Sequence, residues 1–321
     1  MRRTAWLALA AGLCRLAAAS AEPLDVTTRT IESFAPAGTA EGRLEFLGGI
    51  EIRSSDDRFG GLSGIEMLRG DGVLMVGDTG MVVTARLVHE SDRLTGLTDA
   101  TIDPLFPGGS VSKKVGDVED IALDPSDNGR GAIVRERQAN ALLSFTLKDG
   151  RPANLEPQRV GAADNILRSN KGLESVAYAP QTSPLAGAIV AIAERAPRGM
   201  RDIPGWIAGV GAFAVVPHDD FDISSARFLP DGDLILLERR FSPLSGLAMR
   251  LRRIAGDTVA AGARLDGEIL LDAGMASQID NMEGLAVHRD ASGRTILTLV
   301  SDDNQNILQR TLILQFALTG N

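Results

Sequence analysis

The chain is poor in the residues that usually announce a site: among 321 residues it has one cysteine, three histidines, one tyrosine, two tryptophans and ten phenylalanines. A lone cysteine closes no internal disulfide, so burial and hydrogen bonding must hold the fold. His89, His218 and His288 show no metal-ligand spacing, which excludes the common zinc motifs. A formal charge of −9 with so few aromatics argues against nucleic acid, which calls for basic surface and stacking platforms. Beyond the N-terminus no run approaches the roughly 18 consecutive apolar residues of a membrane span.

The N-terminus itself reads as an export signal. Met1-Arg2-Arg3 is basic, residues 5–13 are apolar, and Ala17-Ala18-Ala19-Ser20-Ala21 offers a small-residue cleavage site. Residues 1–21 are assigned to a signal peptide cut after Ala21. Arg15 interrupts the apolar stretch, and the paired arginines form only part of a twin-arginine motif. Removal takes Cys14 and three arginines but no acid, leaving a cysteine-free chain of formal charge −12. A periplasmic or secreted location follows as an expectation. Residues 22–42, with Ala35-Pro36-Ala37-Gly38-Thr39, read as an extended lead, and residues 43–321 as one domain.

What the chain does have is a repeat. Short motifs begin at Ser63-Gly64-Ile65-Glu66-Met67, Glu119-Asp120-Ile121-Ala122-Leu123, Glu174-Ser175-Val176-Ala177-Tyr178, Ser224-Ser225-Ala226-Arg227-Phe228 and Glu283-Gly284-Leu285-Ala286-Val287, at steps of 56, 55, 50 and 59 residues. Turn residues follow each, such as Arg69-Gly70-Asp71-Gly72 and Pro230-Asp231-Gly232-Asp233. A second apolar strand then runs into charge, ending Gly77-Asp78, Glu136-Arg137, Glu194-Arg195, Glu238-Arg239 and Ser301-Asp302-Asp303. Self-similarity at this period, built from short strands, predicts an all-β fold: a single β-propeller of five or six four-stranded blades. Third strands are expected over 83–88, 141–147, 211–216, 248–254 and 311–318, with fourth strands weaker and 267–272 the clearest. Residues 43–52 are expected to complete the last blade and close the ring. The stretches 98–114 and 196–209 read as long loops, suited to binding or to surface decoration.

The motifs Phe59-Gly60-Gly61-Leu62-Ser63-Gly64-Ile65, Asp117-Val118-Glu119-Asp120-Ile121-Ala122, Lys171-Gly172-Leu173-Glu174-Ser175-Val176-Ala177 and Asn281-Met282-Glu283-Gly284-Leu285 with Ser301-Asp302-Asp303-Asn304 resemble the phytase-like β-propeller family, described by an esterase-like activity. The resemblance spans about 48–318. It implies hydrolysis of phosphate or carboxylate esters without fixing a substrate.

The residues themselves supply a mechanism. Innermost propeller strands line a central channel, so equivalent positions converge on one axis. Glu119, Glu174 and Glu283 occupy one such position, with Asp120 beside the first and Asp302 at the end of a second strand. Carboxylates gathered in this way repel unless a cation or proton is shared. Hard oxygen donors favour calcium, which would polarise an ester or phosphoryl oxygen. The expected metal set is Glu119, Asp120, Glu174, Glu283 and Asp302, and the expected catalytic set Glu119, Glu174 and Glu283. Arg137, Arg195, Arg239 and Lys171, with Arg58 as a further candidate, would hold a phosphorylated substrate.

Other readings stay open at this level. The acids can cap turns or pair with a neighbouring blade's arginine, and the arginines can be interblade salt bridges. Gly61-Leu62-Ser63-Gly64 lacks the G-x-S-x-G pattern of a serine hydrolase. Asp219-Asp220-Phe221-Asp222 lacks the glycine and glutamate of an EF-hand loop and reads as a solvated turn. Two functions are therefore expected in order: an exported, calcium-assisted hydrolase of a small phosphoester or related ester, or a non-catalytic propeller binding a ligand or protein, with structural calcium.

Overall fold

The computed structural model describes residues 21–36, 43–106, 116–135, 141–161, 167 and 172–319. Residues 1–20 of the expected signal peptide, Arg137 and Lys171 lie outside them. Five innermost strands, Leu62–Met67, Val118–Asp124, Leu173–Tyr178, Asp222–Phe228 and Asn281–Arg289, pack side by side in a closed ring, each against the next and the last against the first. Each begins a run of four antiparallel strands, to which the third blade adds the short parallel strand Arg264–Leu265, and this resolves the expected five or six blades to five among the described residues. No α-helix occurs there, and no helix is long and apolar enough to cross a membrane.

The ring closes as the sequence predicted. Leu44–Ser54 pairs with Thr311–Leu318 as the outermost regular strand of the fifth blade, so the two ends of the domain are joined in one sheet. The lead is less passive than expected. Val26–Ile31 pairs along Leu44–Ser54, and Phe34 packs on Phe46 and Phe316 with ring centroids 5.7 and 5.0 Å away.

The core lies between blades. In Leu234–Ser242, Leu234 and Leu236 face the third blade while Ile235 and Leu237 face the fifth, because successive residues of a strand point to opposite faces. Both faces are buried, so the sequence shows near-continuous apolar runs in place of alternation. Each aliphatic side chain buried in this way contributes about 1.5–3 kcal/mol.

The third blade corrects the strand assignment. Its third strand is Ile203–Ile207, inside the stretch expected to be a loop, and Gly211–Val215 is its fourth. Pro204 in the short run Ile-Pro-Gly-Trp-Ile disguised the strand. Pro204 pairs with Ala214, and Gly205 carries no side chain because a Cβ there would meet the Phe213 ring at 2.3 Å. Likewise the first half of 98–114 is strand, within Arg93–Pro104.

One irregularity repeats in every blade and sets up the site. The pairing of first and second strands slips by one residue between Leu62 and Gly64, Val118 and Asp120, Leu173 and Ser175, Ile223 and Ser225, and Met282 and Gly284. The residue skipped is Ser63, Glu119, Glu174, Ser224 or Glu283. A β-bulge of this kind re-aims its extra side chain. Here Ser63, Glu119, Glu174 and Glu283 are brought to one cavity at the same end of the channel.

Candidate functional site

At that end a cavity of about 750 Å³ opens, lined among others by Ser63, Asp78, Asp117, Glu119, Glu174, Arg239, Asn281, Glu283 and Asp302. The bulges bring three predicted glutamates, Glu119, Glu174 and Glu283, into one mouth. The two serines complete that ring without carrying charge. Ser63 Oγ donates to the Val118 carbonyl at 2.6 Å and Ser224 Oγ to the Met282 carbonyl at 3.0 Å, so each hydroxyl stitches its blade to a neighbour.

A second ring stands outside the first. Leu62, Leu173, Ile223 and Met282 pair with Gly77, Ala193, Glu238 and Ser301, and the residues that follow these partners are Asp78, Glu194, Arg239 and Asp302. The fifth member, residue 136, lies outside the described residues. Arg239 is therefore the structural counterpart of Glu194, not of Arg195. Aligning the Glu-Arg dipeptides of the two blades misplaces the fourth blade by one residue, because the apolar run into Glu238, residues 234–237, is one residue shorter than the run into Glu194, residues 189–193.

That offset decides the electrostatics. Arg239 turns inward, its Nε 2.8 Å from Glu283 Oε2 and its Nη2 3.6 Å from both Glu174 Oε1 and Glu194 Oε1. Arg195 turns outward onto Asp222, away from the mouth, so the predicted substrate-binding role of Arg195 finds no support in its position. Arg58 is likewise held elsewhere, by Asp56 and Glu22. Glu238, the neighbour of Arg239, points into the blade and pairs with Arg252, both fully buried.

Among the described residues one guanidinium, that of Arg239, meets three glutamates. Burial, then the charges of Glu119 and Glu194, push the Glu174 carboxyl well above the usual range, with Arg239 opposing. Burial also raises Glu283, but Arg239 counters it most strongly, and the Asn281 amide donates to Glu283 Oε1 at 2.7 Å. Both buried acids thus stand above the usual carboxylate range, Glu174 the further, because Arg239 and the Asn281 amide oppose the rise at Glu283.

Asp120 does not join this site. After each bulge the chain presents a deeper layer, and Asp120 there is closed off by Arg227, which donates from Nη1 and Nη2 to Asp120 Oδ2 and Oδ1 at 2.8 and 2.9 Å. Arg227 Nε also donates to Glu66 Oε1 at 2.8 Å. The remaining N–H groups reach backbone carbonyls of several blades, among them Ile65, Ile121, Val176 and Ala226. This plug fills the axis where Gly64 and Gly284 let two strands approach; a Cβ on Gly284 would lie 3.0 Å from the Gly64 Cα. Burial pushes Glu66 up to about 7 although Arg227 opposes it. The sequence missed Arg227 as a central residue, since nothing in Ala226-Arg227-Phe228 marks it except its repeat position.

The expected calcium site can be tested on these donors. Among the described residues, no three or more His, Cys, Asp or Glu side chains stand where they could hold a metal ion together. The point on which Glu174, Glu194 and Glu283 converge is the Arg239 guanidinium, and Asp120 is committed to Arg227. The donors as arranged do not fit calcium.

A serine-histidine mechanism is also without its parts here. None of the three histidines lines the mouth: His89 contacts Gln315, His218 contacts Asp266, and His288 faces two cavities at the opposite end. The acidic run at Asp219 is a turn, closed by Phe221 N donating to His218 O at 3.0 Å.

A family model described as "Phytase-like: Esterase-like activity of phytase" matches residues 57–305. No curated protein matches the sequence. Among solved structures, the chain is similar to the β-propeller domain of Cps50 (Swd1) from Myceliophteria thermophila, at 9% identity and TM-score 0.40, covering 91% of this chain and 100% of that one. It is similar to an α-L-arabinofuranosidase from Podospora anserina at 10% identity and TM-score 0.47, covering 82% and 93%. A gluconolactonase from Xanthomonas campestris is 12% identical with TM-score 0.41, covering 92% and 97%. Likeness at this level concerns architecture alone.

Proposed function

The chain belongs to the phytase-like family, and from that premise we propose that its acidic mouth hydrolyses an uncharged ester by carboxylate general acid–base catalysis. The observation that carries this reading is the unequal pair at Arg239: Glu174 raised by burial and like charge, Glu283 held by Arg239 and Asn281. Buried carboxyls raised to different extents can divide the acid and base roles, the more strongly raised one keeping the proton.

In the reaction, ionised Glu283 takes a proton from water as the water oxygen attacks the ester carbonyl carbon. Protonated Glu174 donates a hydrogen bond to the developing oxyanion, then gives its proton to the departing alcohol oxygen as the C–O bond breaks. The products are a carboxylic acid and an alcohol. Glu174 is left ionised and Glu283 protonated, and exchange with solvent water resets both. Glu119, less buried, adds negative charge that keeps the proton on Glu174. No step runs through a metal.

The lining favours an uncharged ester over a phosphoester. Its described members include Asp78, Asp117, Glu119, Glu174, Glu283 and Asp302 against a single cation, Arg239, which is already engaged by three glutamates. A polyphosphorylated substrate entering such a field is repelled. The alternative, a propeller that only binds, draws on the same ion pairs as structural contacts.

The experiment is a hydrolysis panel of 4-nitrophenyl acetate, 4-nitrophenyl phosphate and inositol hexakisphosphate with wild type and Glu174→Gln. The reading expects turnover of the acetate, little of either phosphate, and loss in the variant at an unchanged melting temperature. Absence of turnover on all three would move the assignment to the binding propeller. Export rests on residues 1–21 alone; N-terminal sequencing of the processed protein, expected to begin at Glu22, tests it.

A further inference from the structure

Two of the most exposed apolar side chains among the described residues, Phe241 and Leu308, line this same mouth, and others sit on the loops that carry them. Among the described residues nine large hydrophobics are exposed, and the five most exposed are Leu244, Ile307, Leu308, Phe241 and Met275. Phe241 and Leu308 also line the cavity, together with the partly buried Leu247. Leu244 sits at the tip of the hairpin between Leu234–Ser242 and Gly246–Ile254, and Met275 packs onto Gly246, where a Cβ would meet its Cγ at 2.7 Å. Ile307 and Leu308 sit on the loop after the second strand of the adjacent fifth blade.

These tips are held out by their own backbones. Leu308 N donates to Asn306 Oδ1 at 3.0 Å, Gln309 N to Asn306 O at 2.9 Å and Leu244 N to Ser242 Oγ at 3.3 Å. Turns satisfied internally have little to gain by folding inward, so the apolar ends remain presented to water. Leu244 is 100% exposed and Ile307 99%. An apolar patch of this kind, continuous with a cavity wall, marks a surface that a ligand covers.

The charge distribution selects the ligand. The acids face an uncharged wall between the fourth and fifth blades, where Phe241, Leu247 and Leu308 lie beside the amides of Asn304, Asn306 and Gln309, so an occupant must carry an uncharged polar group inward and an apolar chain outward along Phe241, Leu247 and Leu308. Resting on the ester-hydrolase reading of the mouth, we infer that the substrate is a medium-chain acyl ester, its ester group at Glu174 and Glu283 and its acyl chain lying across the rim formed by Phe241, Leu244, Leu308 and Ile307.

The test is chain-length dependence. The ratio of kcat/KM for 4-nitrophenyl octanoate over the acetate, in monomeric solution, is expected to exceed ten in wild type, since one buried methylene contributes about 0.8 kcal/mol and two suffice for tenfold. In a Leu244→Ser/Ile307→Ser variant the ratio falls at least fivefold; both positions are wholly solvated, so folding is not at stake. Equal rates for both esters in wild type would overturn the inference while leaving the hydrolase reading intact. So would an unchanged ratio in the variant.

If no ester is turned over the hydrolase reading fails, and a binding arm decides the rim separately. Calorimetry with N-ethyloctanamide against N-ethylacetamide is then expected to show at least tenfold tighter binding of the longer acyl chain, lost in the double variant. Equal binding of both, or wild-type capture by phosphatidylcholine vesicles that the variant loses without any amide preference, would overturn the acyl-chain assignment in favour of a bare surface or a membrane.

Discussion

Two arginines lie near the propeller axis, one layer of side chains apart, and they have opposite characters. Arg227 is enclosed: two carboxylates and a set of backbone carbonyls from successive blades take up its donors, and its side chain is 5% exposed. Arg239 is open to a cavity, engaged by three glutamates at 2.8 to 3.6 Å, with donors in a looser arrangement. The first is a rivet, in which matched hydrogen bonds repay the desolvation of a buried charge. The second is a poised site, in which one guanidinium meets three glutamates at the edge of a cavity. The same residue type can close a channel or activate its mouth, and the number and geometry of its partners decide which.

Breaking the rivet should give the largest effect. Arg227→Ala leaves Asp120 and Glu66 buried without their cation, and chemical denaturation should report a loss of about 3–5 kcal/mol. A loss below about 1 kcal/mol would show that the axis does not depend on this pair. Glu174→Gln acts at the other end. It should lower ester turnover by about 100-fold, equivalent to about 2.7 kcal/mol of transition-state stabilisation, with melting temperature unchanged or higher because a repelling charge is gone.

The plug should also leave a signature in pH. Burial raises Glu66 from 4.5 to about 7. A folded value above the unfolded one means that the group's stabilisation is fully present below about 4.5 and is lost as pH rises through 7. Melting curves across that window should therefore decline with pH, and Glu66→Gln should reduce the slope. A slope identical in the variant would assign the proton elsewhere, Glu174 being the next candidate. The smallest effect concerns metal: chelation followed by added calcium should shift the melting temperature by less than about 1 °C and leave turnover unchanged, since the converging carboxylates already hold Arg239. A large calcium shift would show that Arg239 can be displaced from its place.

Much of this was legible in the sequence. The repeat phase at Ser63, Glu119, Glu174, Ser224 and Glu283 located the inner strands, and the closing strand was visible because 43–52 had no other partner. The three glutamates came out together because a repeat position is a spatial position in a ring. What was hidden turns on single-residue offsets. Asp120 is adjacent to Glu119, yet the bulge separates them into different layers, one at the mouth and one against Arg227. The Glu194-Arg195 and Glu238-Arg239 dipeptides look equivalent, yet the pairing puts Glu194 opposite in role to Glu238 and equal in place to Arg239. Only the register carries that information, since a one-residue slip turns a strand's side chains to the other face.

The measurement that bears most directly on the poised mouth is the pH profile of kcat/KM for acetate-ester hydrolysis in wild type and in Glu174→Gln. The account predicts a wild-type rate that falls on the alkaline side as Glu174 loses its proton, and a variant that is slow throughout and lacks that limb. An alkaline limb that persists in the variant, or a rate that ignores the substitution, would contradict the assignment of the catalytic proton to Glu174.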